Sequence, residues 1–589
     1  YEEIADQPEG LTVAMRRYQR KNLAYMLETE RCPDNKCWVQ LEFESEEEGG
    51  PLYYSPYFIM FRTDVPQPFR GGMLADEMGL GKTITTLSLI LANPRVEGTG
   101  GTLVCAPVSL VNQWMEEAKH RLNQDLTVYM YHGGNRVRDP DKLKQFDIVV
   151  TTYGVISSDR SFSTRRKAQN RGVVNYVPPL EAVQFHRIIF DESHTAKNPA
   201  TSVFRGCSTL KGTYKWSVTG TPAPMDWTDV VAQLKIIDRD EFKYLLSNAR
   251  YSNQKYMALI CQTMIRHHKN MKVNGVSIIE LPECTTNDEI IHLSNTSWEV
   301  YNNVKESIAE RIRHHHRGVE IMYHLQTLRR LCSAGFEDSN TYSFAMLADE
   351  GERERLQQKI AGEVCCVCLE HYDDPVATAC RHVFCSECVS SILSSPLLNR
   401  CPLCRADISP NTVRRLERPL ETTVSDSPKI ERMMQMIQRA PFDHKFIVFT
   451  QFKATIRRIT EALKEANISA RSISGSMSRV MRAKNLSEFE TMDTVRVFVM
   501  SLRSGAVGIN LTAANRVIFM EPSFNPGMEK QAIGRAYRIG QTRPVQVHRF
   551  VAEGTIDRHI LDTRVTFHSD NMPVGRLWST QRLRRLIVR

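Results

Sequence analysis

Residues Asp76–Thr83 read DEMGLGKT and open a run, ITTLSLILA, with the apolar spacing of a helix. Gly79 and Gly81 let a backbone curl tightly enough for its N–H groups to point at phosphate oxygens. Lys82 suits the terminal phosphates of a nucleotide, and Thr83 suits a hydroxyl contact to Mg²⁺. The strict phosphate-loop string has Gly five places before Gly81; here that place holds Asp76. Further along, Arg187-Ile188-Ile189-Phe190 reads as a buried strand that ends in Asp191-Glu192-Ser193-His194. Acids at the carboxyl end of a parallel strand stand where open α/β sheets bind ligands. Asp191 suits the Mg²⁺ shell, and Glu192 suits positioning and deprotonating an attacking water.

A second chemistry is written in cysteine. Eight of the fifteen cysteines fall between Cys365 and Cys404. Their pattern, Cys365-x2-Cys368, Cys380-x-His382-x2-Cys385-x2-Cys388 and Cys401-x2-Cys404, is a RING-finger spacing with Cys366 as a surplus thiol. Zinc takes four tetrahedral N/S ligands, and two-residue gaps let paired cysteines grip one ion from a tight turn. Cys32 and Cys37 have no second ligand pair near them and read as ordinary thiols.

These residues need rigid elements behind them. Two regions alternate short apolar strands with helical patterns, as parallel α/β sheets do. The first has strands at Gly101–Ala106, Asp147–Thr151, Arg187–Phe190 and Lys215–Val218. The second has strands at Lys445–Thr450, Val495–Met500, Arg516–Met520 and Val545–Phe550. The expected division is a first lobe over 1–270, a helical insertion over 271–345, a RING over 363–407, a second lobe over 420–565 and a basic tail over 566–589. Size agrees, since 589 residues predict several folded units at roughly 100–200 residues each. The balance of 76 Lys+Arg against 67 Asp+Glu permits a polyanion partner without demanding one, and 42% apolar residues exclude wholesale disorder. No run approaches the ~18 apolar residues of a membrane-spanning helix, so no membrane partner is expected. The chain opens at Tyr1 and reads as a piece of a longer protein.

The ordered set DEMGLGKT, DESH, SVTGTP (Ser217–Pro222) and QAIGRAYRIGQ (Gln531–Gln541) resembles the Swi/Snf family of superfamily-two DNA translocases. RRYQR (Arg16–Arg20), LVCAPVSLVNQW (Leu103–Trp114), TTYG (Thr151–Gly154), KFIVFTQF (Lys445–Phe452), SGSMS (Ser474–Ser478) and SGAVGINLTAAN (Ser504–Asn515) extend the likeness over nearly the whole chain. The resemblance implies two RecA-like α/β lobes that bind ATP and Mg²⁺. It gives Gln19 the reading of adenine and adds Asp76, Leu80 and Gly508 to the nucleotide contacts. It gives Gln531, Arg535 and Arg538 the closing contact on the γ-phosphate, where arginines stabilise charge spread over the transferring group. It places DNA contacts at Pro107, Gln113, Trp114, Thr152, Gln451, Ser476 and Thr512, on backbone phosphates that carry no sequence information.

The chain departs from the family at Ala223-Pro224-Met225 after GTP, at Ile265-Arg266-His267-His268-Lys269 in place of a double-arginine run, and at Phe524 where Trp is common. None of these is expected to touch phosphate. Resemblance to cross-braced RINGs gives one zinc to Cys365, Cys368, Cys385 and Cys388, and the other to Cys380, His382, Cys401 and Cys404. It gives Val367, Pro402, Leu403 and Arg405 the contact to a ubiquitin-conjugating enzyme and ubiquitin. A RING between Swi/Snf lobes resembles the subgroup of the helicase-like transcription factor and its yeast repair relatives. That subgroup implies a nuclear translocase on double-stranded DNA, bare or in nucleosomes, with ligase potential. A larger chromatin or DNA-modifying enzyme with a structural RING, and a DNA-binding scaffold with weak ATPase, are the other two readings.

Overall fold

The computed structural model describes residues 5–31, 39–41, 52–56, 60–63, 70–108, 110–122, 126–133, 136–160, 177–222, 227–237, 263–314, 318–334, 345–360, 365–367, 372, 374–394, 399–416, 427–473, 477, 479–502 and 509–569. Cys32, Cys37, Ala223-Pro224-Met225, Cys368, Ser476 and Gly508 lie outside them. The chain divides into two compact units, at residues 1–280 and 281–589. No described helix is long and apolar enough to cross a membrane.

The first unit is built on a seven-stranded sheet of β1 (Gly71–Leu74), β2 (Gly100–Ala106), β3 (Val128–Tyr131), β4 (Ile148–Thr152), β5 (Gln184–Asp191), β6 (Lys211–Val218) and β7 (Met264–Ile265). Their order is β7-β1-β6-β5-β2-β4-β3, and every pairing is parallel. Strands covered on both faces read as continuous apolar runs, which is why Leu103–Ala106 and Ile188–Phe190 are legible as strands. β1, β6 and β5 are consecutive neighbours, so the segments after Leu74, Val218 and Asp191 emerge side by side on one edge.

α1 (Arg17–Arg31) ties this sheet together from its last turn. Buried Glu30 accepts from Arg187 Nε at 2.6 Å and Nη2 at 2.5 Å, from Trp216 Nε1 at 3.0 Å and from Asn93 Nδ2 at 2.7 Å. The carboxylate and guanidinium are both almost fully buried, and Arg187 donates further to the Asn93 carbonyl at 2.9 Å and to Thr102 Oγ1 at 3.3 Å. Full hydrogen bonding is what makes such a pair tolerable in a dry core.

The second unit carries a six-stranded, all-parallel sheet of β8 (Cys284–Ile291), β9 (Phe446–Thr450), β10 (Ala470–Ile473), β11 (Val497–Ser501), β12 (Arg516–Phe519) and β13 (Val545–Ala552), in the order β8-β13-β12-β9-β11-β10. The segment expected as a helical insertion therefore differs in its first part: Cys284–Ile291 is an edge strand of this sheet. Helices at Asn295–His314 and Gly318–Ala334 follow, and they bury Tyr301, Val304, Leu325 and Leu328 against Ala552, Ile556 and Ile560. Lys429 and Asp557 form a second fully buried ion pair, at 2.5 Å, with Lys429 also donating to the Met520 carbonyl at 2.7 Å. Between β8 and β9 in the chain, the cysteine-rich segment forms the antiparallel pair Pro375–Ala377 and Val383–Cys385 and the helix Ser386–Leu393.

Arg187→Met removes one partner and leaves the Glu30 carboxylate buried without its cation. It should destabilise the first unit by about 3–5 kcal/mol, the usual cost of breaking a buried pair. Glu30→Leu added to it should recover much of that loss. Denaturant unfolding checks both, and a single variant within ~1 kcal/mol of wild type would contradict the role given to the pair.

Candidate nucleotide site and zinc centres

The loop from Ala75 to Gly81 links β1 to the helix Lys82–Ala92, with Gly79 and Gly81 at φ 87° and 77°. Only glycine takes that left-handed backbone without strain. A Cβ on Gly81 would meet Gln19 Nε2 at 2.4 Å, so glycine is also required for the close approach of α1. Gln19 is buried, donates to the Leu80 carbonyl at 3.1 Å and accepts from Arg16 N at 2.8 Å. Tyr18 donates its hydroxyl to the same Leu80 carbonyl at 2.8 Å. Thr83 lies in the first turn of the following helix.

Asp76 is fully buried, and its carboxylate is taken up by neighbouring elements. Its Oδ2 accepts from Asn22 Nδ2 at 2.5 Å, and its Oδ1 accepts from His267 N at 2.9 Å and lies 2.9 Å from His267 Nδ1. Both carboxylate oxygens are thus engaged in holding α1 and the chain after β7 against the loop. That chain runs alongside the loop, with Ala75 N bonded to the Ile265 carbonyl, Glu77 N to the His267 carbonyl and Lys269 N to Glu77 Oε2. The departure at Ile265–Lys269 is therefore a support of the phosphate loop. Asn22 stands three residues after Gln19 on one helix face, a signal the sequence carries; His267 gives no local signal.

Lys82 Nζ donates to the Asp76 carbonyl at 2.9 Å and would lie 3.3 Å from a Cβ on Gly220. Gly220 belongs to the segment after β6, so this loop and the lysine share one confined space. On the next strand, Asp191 and Glu192 are both buried. Glu192 sits at φ 47°, ψ 49°, a left-handed conformation that costs a non-glycine residue about 1–2 kcal/mol and persists only where surroundings enforce it. The enforcing contacts are Glu192 N donating to Asp191 Oδ1 at 3.0 Å, His194 Nδ1 3.3 Å from Glu192 Oε2, and Thr219 Oγ1 3.5 Å from the same oxygen. Burial pushes the Asp191 carboxyl up to about 6, the charge of Glu192 acts the same way, and Trp114 and Lys82 act against both.

The expected DNA-contact residues divide. Pro107 and Gln113 are half-buried in the segment after β2. Trp114 is only 2% exposed, and its indole Nε1 donates to Asp191 Oδ2 at 2.7 Å, so its side chain turns inward and presents no face to a duplex. Its phase could have been read from sequence, since Val111, Trp114 and Ala118 recur at helical spacing. Thr152 is also buried and accepts from Val155 N at 3.1 Å. In the second unit Gln451 follows β9, and Thr512 precedes β12. Gln451 Oε1 accepts from buried Arg329 at 2.9 Å, and its backbone N donates to buried Glu521. Phe524 packs under the Arg329 guanidinium, 4.6 Å from ring centroid to carbon. Gln531 and Arg535 share one face of the helix Pro526–Ala536, while Arg538 lies two residues beyond its end.

Two sets of ligand atoms gather in the cysteine-rich module. Cys380, His382, Cys401 and Cys404 form one, and Cys365, Cys385 and Cys388 form the other, each with its atoms within 4.8 Å of one another. Four N/S donors at that spacing fit zinc, and the second set shows three thiols, the expected Cys368 lying outside the described residues. Burial acts upward on the Cys380 thiol, but hydrogen bonds from Thr378 and His382 bring it down to about 6, which favours the ligating thiolate. The module also leans on the second sheet's helix Lys453–Glu465: Lys453 Nζ donates to Cys388 Sγ at 3.1 Å and Arg457 lies 3.8 Å from Glu387. Leu403 is 55% exposed and Pro402 and Arg405 are exposed beside it, whereas Val367 is half-buried.

Residues 18–336 match the SNF2-related domain family, 428–540 the helicase conserved C-terminal domain family, and 361–410 the C3HC4-type zinc finger (RING finger) family. The chain is 28% identical to the DNA repair protein RAD5A of Arabidopsis thaliana, covering 94% of this chain and 64% of that one. It is 27% identical to the DNA repair protein RAD5 of Yarrowia lipolytica (95% and 62%) and to the human helicase-like transcription factor (78% and 49%). The chain thus spans about half to two thirds of the length of these relatives. Among solved structures, a Sulfolobus solfataricus SWI2/SNF2 ATPase core in complex with dsDNA is 22% identical over 99% of both chains, with a TM-score of 0.36.

Chelation should open the cysteine-rich module to protease while both parallel sheets stay folded, because the ligands supply the folding energy of so small a unit. Lys453→Met should speed zinc release from the Cys365, Cys385 and Cys388 set by about tenfold or more, as loss of an outer hydrogen bond does, and leave the other ion unchanged. Equal release rates from wild type and variant would contradict the buttress.

Proposed function

The chain belongs to the SNF2-related family and carries a RING finger, and from that premise we propose that it is a DNA-stimulated ATPase that moves along double-stranded DNA and presents its RING to a ubiquitin-conjugating enzyme. The observation that carries the reading is the convergence of three loops on one edge of the first sheet: the phosphate loop with Lys82, the Thr219-Gly220-Thr221 segment, and the acid pair Asp191 and Glu192. Lys82 and the loop between Gly79 and Gly81 hold the phosphates of ATP, with Leu80 and Gln19 packed behind. Thr83 and Asp191 would hold Mg²⁺, which supplies charge neutralisation at the transferring phosphoryl group. Glu192 orients the attacking water and takes its proton. Gln531, Arg535 and Arg538 are the second unit's proposed contribution, the two arginines as counter-charge for the γ-phosphate and Gln531 as a neutral hydrogen-bonding partner.

DNA is held, in this reading, through its phosphates by the segments around Pro107, Gln113, Thr152 with exposed Gly154, and Gln451, which fits tracking rather than sequence readout. RAD5-type relatives are named for DNA repair, and a role in repair or chromatin regulation in the nucleus is the matching proposal. For the RING, the exposure of Leu403 and Arg405 favours a docking role over a purely structural one.

Glu192→Gln should retain ATP and DNA binding and lose turnover by about 10²–10⁴-fold, the range for removal of a positioned base. Near-normal turnover in that variant would remove Glu192 from the role. DNA affinity should fall steeply with salt, and a triplex should be displaced while a blunt duplex stays paired. Leu403→Ala should abolish ubiquitin-chain synthesis and leave zinc content and ATPase intact. Wild-type protein that makes no chains with a full panel of conjugating enzymes would return the RING to a structural part.

A further inference from the structure

Both segments expected to touch DNA in the first unit send an inward side chain to the same residue. Trp114 follows half-buried Gln113, and its indole N–H reaches Asp191 Oδ2 at 2.7 Å. Tyr153 stands between Thr152 and exposed Gly154, and its hydroxyl donates to the Asp191 backbone carbonyl at 2.8 Å. Both rings are buried, and an indole N–H can only donate, so its acceptor is a requirement of the fold. The other carboxylate oxygen of Asp191 accepts from Glu192 N at 3.0 Å. Turning the Asp191 carboxylate would therefore also release the left-handed turn that aims Glu192.

Resting on the ATPase reading above, we infer that Trp114 and Tyr153 are positioning residues through which the Pro107–Gln113 and Thr151–Gly154 segments set the orientation of Asp191 and Glu192. Only four residues separate β2 from the helix Val111–Arg121, and Trp114 N is bonded to the Leu110 carbonyl at 2.9 Å. A shift of that first turn moves the indole with it. Trp114 acts on the carboxylate and Tyr153 on the peptide behind it, so the two control rotation and depth separately. DNA seated on the outer face of these segments stiffens the inner face, and the acid pair then meets Mg²⁺ and water in one geometry.

Trp114→Phe and Tyr153→Phe each keep a ring and delete one donor. In the full chain, Trp114→Phe should leave DNA affinity without nucleotide unchanged. The gain in affinity for a fluorescent ATP analogue on adding Mg²⁺ should fall by about tenfold to a hundredfold, the span of one hydrogen bond to a charged group. Stimulation of turnover by DNA should fall with it, through kcat more than through the KM for DNA. Tyr153→Phe should change in the same direction by less, and it decides the matter where Trp114→Phe fails to fold. Wild-type Mg²⁺ dependence and wild-type DNA stimulation in the folded variants would overturn the inference. A wild-type chain whose ATP hydrolysis ignores DNA would overturn the ATPase reading instead.

Discussion

A parallel sheet sends every strand's carboxyl end to one edge, and that constraint organises the first unit. Because β1, β6 and β5 are neighbours, the phosphate loop, the Thr219–Thr221 segment and the acid pair share a rim although they are far apart in the chain. No strand of the sheet reverses, so none of these loops can leave the rim without breaking a strand pairing. Lys82 beside Gly220 and Thr219 beside Glu192 are consequences of strand order.

Charge buried behind the rim fixes its details. The Glu30 and Arg187 pair pins α1, the helix carrying Gln19, to the strand that ends in Asp191. Asp76 performs a similar service for the phosphate loop, with Asn22 on one oxygen and His267 on the other. In the second unit, Glu521 gathers Thr450, Ser333 and the Gln451 backbone, and burial pushes its carboxyl up. Removing one partner from such a cluster strands a charge in a medium that cannot solvate it, which gives each a single low-energy arrangement.

Much of this was legible in sequence because chemistry concentrates there. Glycine spacing around Lys82, the acid pair after an apolar strand and the cysteine spacing each fix a local geometry, and among the described residues Cys380, His382, Cys401 and Cys404 gather in one set and Cys365, Cys385 and Cys388 in another. What escaped is what depends on distant partners. Asp76 looks like a loop residue, and its partners lie 54 and 191 positions away. β8 is an edge strand paired on one side only, so its CTTNDEII run carries polar residues and hides its strand character. Trp114 resembles a DNA contact because its neighbours do, yet helical phase turns it to the core.

In the proposed ATPase the acid pair and the phosphate loop form one metal–nucleotide site on the first sheet's rim. The most direct measurement is a structure of the chain with a non-hydrolysable ATP analogue and Mn²⁺, located by anomalous scattering. The ion should lie within coordination reach of Asp191 and Thr83, with the terminal phosphate against Lys82. An ion and triphosphate bound elsewhere, apart from Asp191, Thr83 and Lys82, would contradict it.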